Sequence, residues 1–254
     1  MVTANDTHAP HRPIRWTLAA RALVGLARDT QRTDHVFTII SALTGDSFER
    51  TFCEFRETPH GKRLLLEKPS LALALADTTR LRALPEGTLG RAYVRFMDAG
   101  KLTSDGLVGA QEARIDPNAE LEYDADRQYV SDRLRDMHDL WHVLTDYGSD
   151  DTGEIANLWF SVGQFGNPGM AFIAFFGVLD GCVGAAVSWP RYCFNAYLRG
   201  RHAKRLVSEP IEDMLELPID EARARLGIAL TRDVHPEGIR RGDRKERALG
   251  ALAA

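Results

Sequence analysis

A chain of 254 residues is long enough for one large domain or two small ones. With 44 % hydrophobic and 27 % charged residues its composition is that of an ordinary globular protein. A formal net charge of -4 argues against electrostatic binding of nucleic acid or of acidic substrates. Three scattered cysteines, Cys53, Cys182 and Cys193, form no CxxC pair. They offer neither a cysteine zinc site nor a disulfide framework and point to a reducing compartment. The start of the chain is polar and broken by Pro10 and Pro13, without the apolar run of a signal peptide. Arginine far outnumbers lysine and alanine is abundant, a bias of high-GC bacteria. The expected setting is therefore a bacterial cytoplasm.

Helix signals dominate along the chain. Pro13 can open a helix carrying Leu18, Ala22 and Leu26 on one face. Asp34 is placed to cap the next segment, which Thr44-Gly45 ends. Phe48, Phe52 and Phe55 repeat at helical spacing until Pro59 stops them. Two further helices are expected over 71–84 and 89–97, separated by Pro85-Glu86-Gly87. From 100 to 117 the pattern weakens to a loop. The longest predicted helix spans about 126–147, closed by Gly148, and a following one spans about 151–164, broken by Gly166-Asn167-Pro168. From Met170 to Trp189 almost every residue is apolar or small, interrupted by Asp180 and three glycines. That makes a poor membrane span; a buried core helix and a helix lining a lipid-accepting cavity both remain open. Pro190, Pro210 and Pro218 each start a later helix. The expectation is an all-α, single multi-helix domain over 1–239, with 1–13 and 240–254 as flexible tails.

Chemistry concentrates in the longest helix. Its apolar stripe reads Val130, Leu134, Met137, Trp141 and Leu144, in steps of four and three. His138 and His142 each follow a stripe residue by one position, about 100° around the helix, so they sit at the edge of the core. Residues at i and i+4 share a face, so both imidazoles can converge on one metal ion, with Asp139 within reach. Glu154 opens the next helix, where a helical hairpin would return it beside His142 as a fourth ligand. Each residue has a plainer alternative. The histidines could be hydrogen-bonded core residues, and Asp139 could pair with Arg135. Glu154 could serve the helix dipole in a capping-box-like pair with Asp151.

The pattern His138-Asp139-x-x-His142-x11-Glu154 resembles the metal motif of the coenzyme Q (ubiquinone) biosynthesis protein 4 family. Leu84-Pro85 through Thr88-Leu89-Gly90 to Tyr93 and Phe96 is similar to that family's upstream segment, and Tyr129, Arg133 and Arg135 to its lead-in. Gly200 to Leu206 and Pro218 to Ile228 resemble its ending. Around Pro210-Ile211-Glu212 the family's late tryptophan is replaced, which leaves a paralogue with another substrate open. The resemblance implies an all-helical protein with a divalent metal, usually zinc. It implies removal of the C1 carboxylate from a polyprenylated hydroxybenzoate, with or without oxidation of that carbon. It also implies a peripheral place among other quinone-biosynthesis proteins at the inner membrane, and it allows a homodimer.

In that scheme His138, Asp139, His142 and Glu154 hold the metal and leave a position open. Two histidines with carboxylates also suit iron or manganese. Arg135, on the metal face, is the candidate for orienting the substrate carboxylate, its planar fork suiting that group; a surface ion pair with Asp132 or Asp139 is its alternative. The apolar Met170 to Trp189 segment would house the prenyl tail. A His-Asp phosphohydrolase is the enzyme rival, disfavoured because no histidine lies between His60 and His138 to supply its further ligand. The rival from another class is a non-catalytic scaffold that binds isoprenoid or quinone intermediates for other enzymes.

Overall fold

The structure, a computed structural model, describes residues 11–29, 32–100, 109, 112–114, 123–182 and 188–229. Among them all regular structure is helical, apart from one isolated antiparallel bridge between Thr88 and Pro218. The expected tails and the loop from 100 to 117 fall largely outside the described residues.

The chain opens with α1 (Trp16–Arg28) and α2 (Thr33–Leu43), followed by α3 (Ser47–Glu57). Ala19, Ala22, Ile39, Ala42 and Leu43 bury the shared face of the first two, together with Ile173 from further along. Pro59, expected only to stop a helix, also starts α4 (Pro59–Glu67). Thr58 accepts a hydrogen bond from the Gly61 amide at 2.9 Å, and proline at the first position needs no amide partner. The single helix expected over 71–84 is two, α5 (Leu71–Ala76) and α6 (Thr78–Ala83). Asp77 separates them because its carboxylate caps the second, accepting from the Arg80 amide at 3.0 Å.

α7 (Leu89–Gly100) is followed by α8 (Ala125–Asp136), whose cap Asp124 accepts from the amides of Asp126 and Arg127. The helix expected to run unbroken to Tyr147 is interrupted at Met137, and α9 (His138–Thr145) begins with the first histidine. The Met137 amide still bonds the Arg133 carbonyl at 3.1 Å, and the Trp141 amide bonds Met137 at 3.0 Å. The interruption is thus a bend rather than an end.

After a tight reversal come α10 (Asp151–Phe165), α11 (Pro168–Cys182) and α12 (Ser188–His202). Two short 3-10 turns, Leu206–Ser208 and Ile211–Met214, lead to α13 (Ile219–Leu226). α10 and α12 cross almost backbone to backbone. A Cβ at Gly163 would lie 2.4 Å from the Tyr197 carbonyl oxygen, and one at Gly200 would lie 2.1 Å from that of Phe160. Only glycine permits such an approach.

The main core gathers Phe55, Leu64, Leu81, Leu89, Met137, Leu140, Leu144 and Phe160, all fully buried. Each such side chain contributes about 1.5–3 kcal/mol by leaving water. The apolar segment after Met170 divides between two roles. Ile173 and Ala174 are buried, whereas Phe175, Phe176 and Leu179 are exposed. Trp16, Phe172, Phe176 and Phe175 form a chain of ring contacts on that outer side. No helix among the described residues is long and apolar enough to cross a membrane.

Candidate metal centre

α9 is short and almost wholly buried, and its sequence explains why. Leu140, Trp141 and Leu144 face the core, with Trp141 stacked on Phe165 at 5.2 Å. The core stripe anticipated from Val130 to Leu144 is buried except for Leu134, which is partly buried against it. The bend at Met137 leaves the histidines where the spacing placed them, at the edge of that core. His142 is 1 % exposed, while the His138 side chain keeps 35 % of its surface in solvent.

The hairpin after α9 is built by two aspartates and two glycines. Asp146 takes the left-handed conformation, φ 64°, and ends the helix two residues before the expected Gly148. Asp150, not Asp151, caps α10, accepting from the amides of Thr152 at 2.9 Å and Gly153 at 3.0 Å. A Cβ on Gly153 would lie 1.8 Å from the Gly148 carbonyl oxygen, so the reversal closes this tightly only with glycine there. Glu154, next in the chain, is thereby returned to α9.

Three ligand atoms converge, from His138, His142 and Glu154, all within 4.8 Å of one another. Glu154 Oε2 lies 3.3 Å from His142 Nε2 and 3.7 Å from His138 Nε2. The opposite nitrogen of each ring is engaged. His142 Nδ1 lies 3.2 Å from the Tyr147 carbonyl oxygen, to which only an N–H can bond, so its proton sits on Nδ1. His138 Nδ1 lies 3.1 Å from Asp139 Oδ1. Asp139 therefore stands behind His138 rather than in the converging group. A carboxylate or carbonyl on the far nitrogen is the usual support of a metal-bound histidine.

The residues fit a cation. His142 Nε2 is buried and has no hydrogen-bond partner, although a carboxylate oxygen is 3.3 Å away. With the ring proton on Nδ1, a bare lone pair faces a carboxylate, which is unfavourable unless a proton or a metal ion lies between them. The electrostatics agree. Desolvation opposes ionisation of Glu154, but contact with His142 and the charges of both histidines outweigh it and lower its pKa. Desolvation likewise opposes the charged form of His138, and Asp139 and Glu154 outweigh it and raise its pKa.

Arg135 is held by carboxylates of its own helix: Nε bonds Asp136 at 2.9 Å and Nη1 bonds Asp132 at 3.0 Å. Of the anticipated pairings, that with Asp132 is present, and Asp139 lies against His138 Nδ1. Two neighbours of the site carried no chemical signal in the sequence. Phe96 on α7 stacks on His142 at 5.4 Å and 18°, and the Tyr147 carbonyl fixes its ring. Phe96 could be noticed only within the family-like segment, and a backbone carbonyl leaves no trace in a residue pattern. Tyr93, one turn before Phe96, is buried, and its hydroxyl pKa is pushed up by burial and by the charges of Asp139 and Asp136.

Fold and site together define an all-helical protein with a His-His-Glu cluster between two consecutive helices. The sequence profile described as "Coenzyme Q (ubiquinone) biosynthesis protein Coq4" matches residues 6–231. The chain belongs to the coenzyme Q biosynthesis protein 4 family, and so to the proteins of ubiquinone biosynthesis. It is 28 % identical over 240 residues to the human mitochondrial ubiquinone biosynthesis protein COQ4 homolog, covering 91 % of this chain and 84 % of that one. The Bos taurus homolog is 30 % identical over 233 residues, covering 87 % and 81 %. The fold matches the crystal structure of a candidate ubiquinone biosynthesis protein from Nostoc punctiforme PCC 73102, with TM-score 0.61 and 22 % identity, covering 85 % of this chain and 99 % of that one.

These relatives overturn the expected localisation. The animal homologues that match are mitochondrial proteins, which removes the ground for a bacterial cytoplasm beside an inner membrane. Arginine bias and reduced cysteines could not decide the matter, because they describe codon usage and redox poise rather than a compartment.

Proposed function

We propose that this chain holds one divalent metal ion on His138, His142 and Glu154 and removes the C1 carboxylate of a polyprenylated hydroxybenzoate. Asp139 orients His138 through Nδ1, and to serve as the expected fourth ligand its carboxylate would have to leave that nitrogen. Zinc suits a site of two imidazoles and carboxylates, and iron and manganese suit it as well. When bound, the ion would supply a Lewis acid that stabilises the electron pair left on C1 as carbon dioxide departs, that carbon then taking a proton from water; the oxidative version would take dioxygen as the oxidant. The single observation that supports this reading most is the buried, unpartnered Nε2 of His142 facing Glu154.

Arg135 is assigned to the substrate carboxylate, which would have to displace Asp132 or Asp136 from its guanidinium. The exposed rings of Phe175 and Phe176 and the side chain of Leu179 give a prenyl tail an apolar surface, and the same surface suits peripheral contact with lipid or a second copy of the chain. Other proteins of quinone biosynthesis are the natural partners.

A second reading is a non-catalytic scaffold that presents prenylated intermediates to other enzymes. The pairing of Arg135 with two carboxylates favours it, since a substrate acid would then find no open cation there. Mass spectrometry of lipid extracts separates the two. Cells lacking this gene should lose quinone and accumulate a carboxylated prenyl-ring precursor, and His142→Ala should not rescue them. Rescue by His142→Ala would favour the scaffold, and unchanged quinone would mean another substrate.

A further inference from the structure

The proton on His142 Nδ1 is set by the Tyr147 carbonyl, so whatever fixes that carbonyl fixes which nitrogen faces Glu154. Tyr147 lies just past the end of α9, beyond Asp146 in its left-handed turn. The last carbonyls of α9 are taken by two arginines from distant helices. Arg223 on α13 donates from Nε to the Leu144 oxygen at 2.9 Å and from Nη2 to Val143 at 3.0 Å. Arg199 on α12 donates from Nη2 to the Thr145 oxygen at 3.0 Å, and its Nε bonds Ala229 at 3.1 Å. The Arg199 guanidinium also lies over the Tyr147 ring, 4.9 Å from its centroid. Arg199 is 8 % exposed, a buried cation held by backbone carbonyls and an aromatic ring. Carbonyls at a helix C-terminus carry the partial negative charge that such a cation needs.

We infer that Arg199 and Arg223 are positioning residues for the metal ligand His142: they clamp the end of α9, hold the Tyr147 carbonyl on Nδ1 and so keep Nε2 bare toward Glu154. This inference rests on the metal reading for its consequence, but the ring tautomer can be read without any metal. Losing the support behind a metal-bound histidine costs about 10–100-fold in metal affinity. An effect transmitted through the backbone from the three α9 carbonyls falls at the low end, roughly tenfold.

The test is long-range proton–nitrogen NMR of the histidine rings in the metal-free full chain, with Co²⁺ titration of the same samples. At a pH high enough for the imidazole to be neutral, wild-type protein should show the His142 proton on Nδ1. Arg199→Met and Arg223→Met should shift it toward Nε2 and weaken Co²⁺ binding about tenfold. Arg199→Lys, which keeps a cation and is the variant to read if methionine prevents folding, should fall between. Arg127→Met removes another buried arginine, one bonded to Glu49, and should lower the melting temperature while leaving tautomer and affinity unchanged. A wild-type proton on Nε2, or arginine variants with the wild-type tautomer and affinity, would overturn the inference. Wild-type protein with the Nδ1 proton but no Co²⁺ binding would remove the metal reading instead, leaving the tautomer shift to decide the positioning.

Discussion

The two histidines are prepared in the same way: Nδ1 is engaged and Nε2 is turned to a shared point. His142 uses the Tyr147 carbonyl at 3.2 Å and His138 uses Asp139 at 3.1 Å. If Asp139 acts from behind His138, Asp139→Asn keeps the fold but weakens metal binding about 10–100-fold, measured by competition with a chromophoric chelator. An unchanged affinity would take Asp139 out of the site. The convergence of His138 and His142 was legible in the sequence because i and i+4 residues share a helical face whatever surrounds them, and Glu154 was legible only through the expected hairpin. The placement of Asp139 was not, since adjacency to a histidine fits both a ligand and a support. The Tyr147 carbonyl was illegible for a deeper reason: its direction depends on Asp146 adopting φ 64°, which many aspartates do not.

Among the elements, the hairpin between α9 and α10 decides whether Glu154 reaches the histidines. Gly153→Ala would put a Cβ 1.8 Å from the Gly148 oxygen, so the reversal must open. A loss of about 1–3 kcal/mol in stability is expected from such overpacking. Metal affinity should fall with it, read by thermal denaturation with and without added metal. A variant of wild-type affinity would show that the hairpin tolerates opening without moving Glu154. The α10–α12 crossing makes a contrasting case: Gly200→Ala meets the Phe160 carbonyl at 2.1 Å and should lower the melting temperature more than it alters metal binding. Turn chemistry accounts for what the sequence reading misplaced here. Asp77 was a cap inside a run that reads as one helix, and Asp150 was one hidden among Asp146, Asp151 and Glu154. Pro59 both ended one helix and began another, and the bend at Met137 has neither proline nor glycine to announce it.

At the scale of the whole molecule, α8 and the 3-10 turns after α12 are joined through Arg133. This arginine is 2 % exposed and bonds the carbonyls of Val207 at 2.9 Å and Glu209 at 2.7 Å and the carboxylate of Glu212. Removing it strands Glu212, whose side chain is only 13 % exposed. Arg133→Met should cost about 3–5 kcal/mol in denaturant unfolding, and a cost below about 1 kcal/mol would mean that the turns are held by packing alone. The all-α class was readable from periodicity, because helical patterning recurs from Leu18 to Leu226 and strand signals are scarce. What the apolar segment after Met170 does was not readable. Ile173 and Ala174 are core and Phe175, Phe176 and Leu179 are surface, a division set by where α2 and α10 pack against it.

Metal content measured by mass spectrometry on the purified full chain tests the central claim most directly. The account predicts close to one divalent ion per chain, lost in both His142→Ala and Glu154→Gln while helical content is retained. Wild-type protein without a stoichiometric divalent ion after incubation with zinc, iron or manganese, or either variant retaining it, would contradict the account.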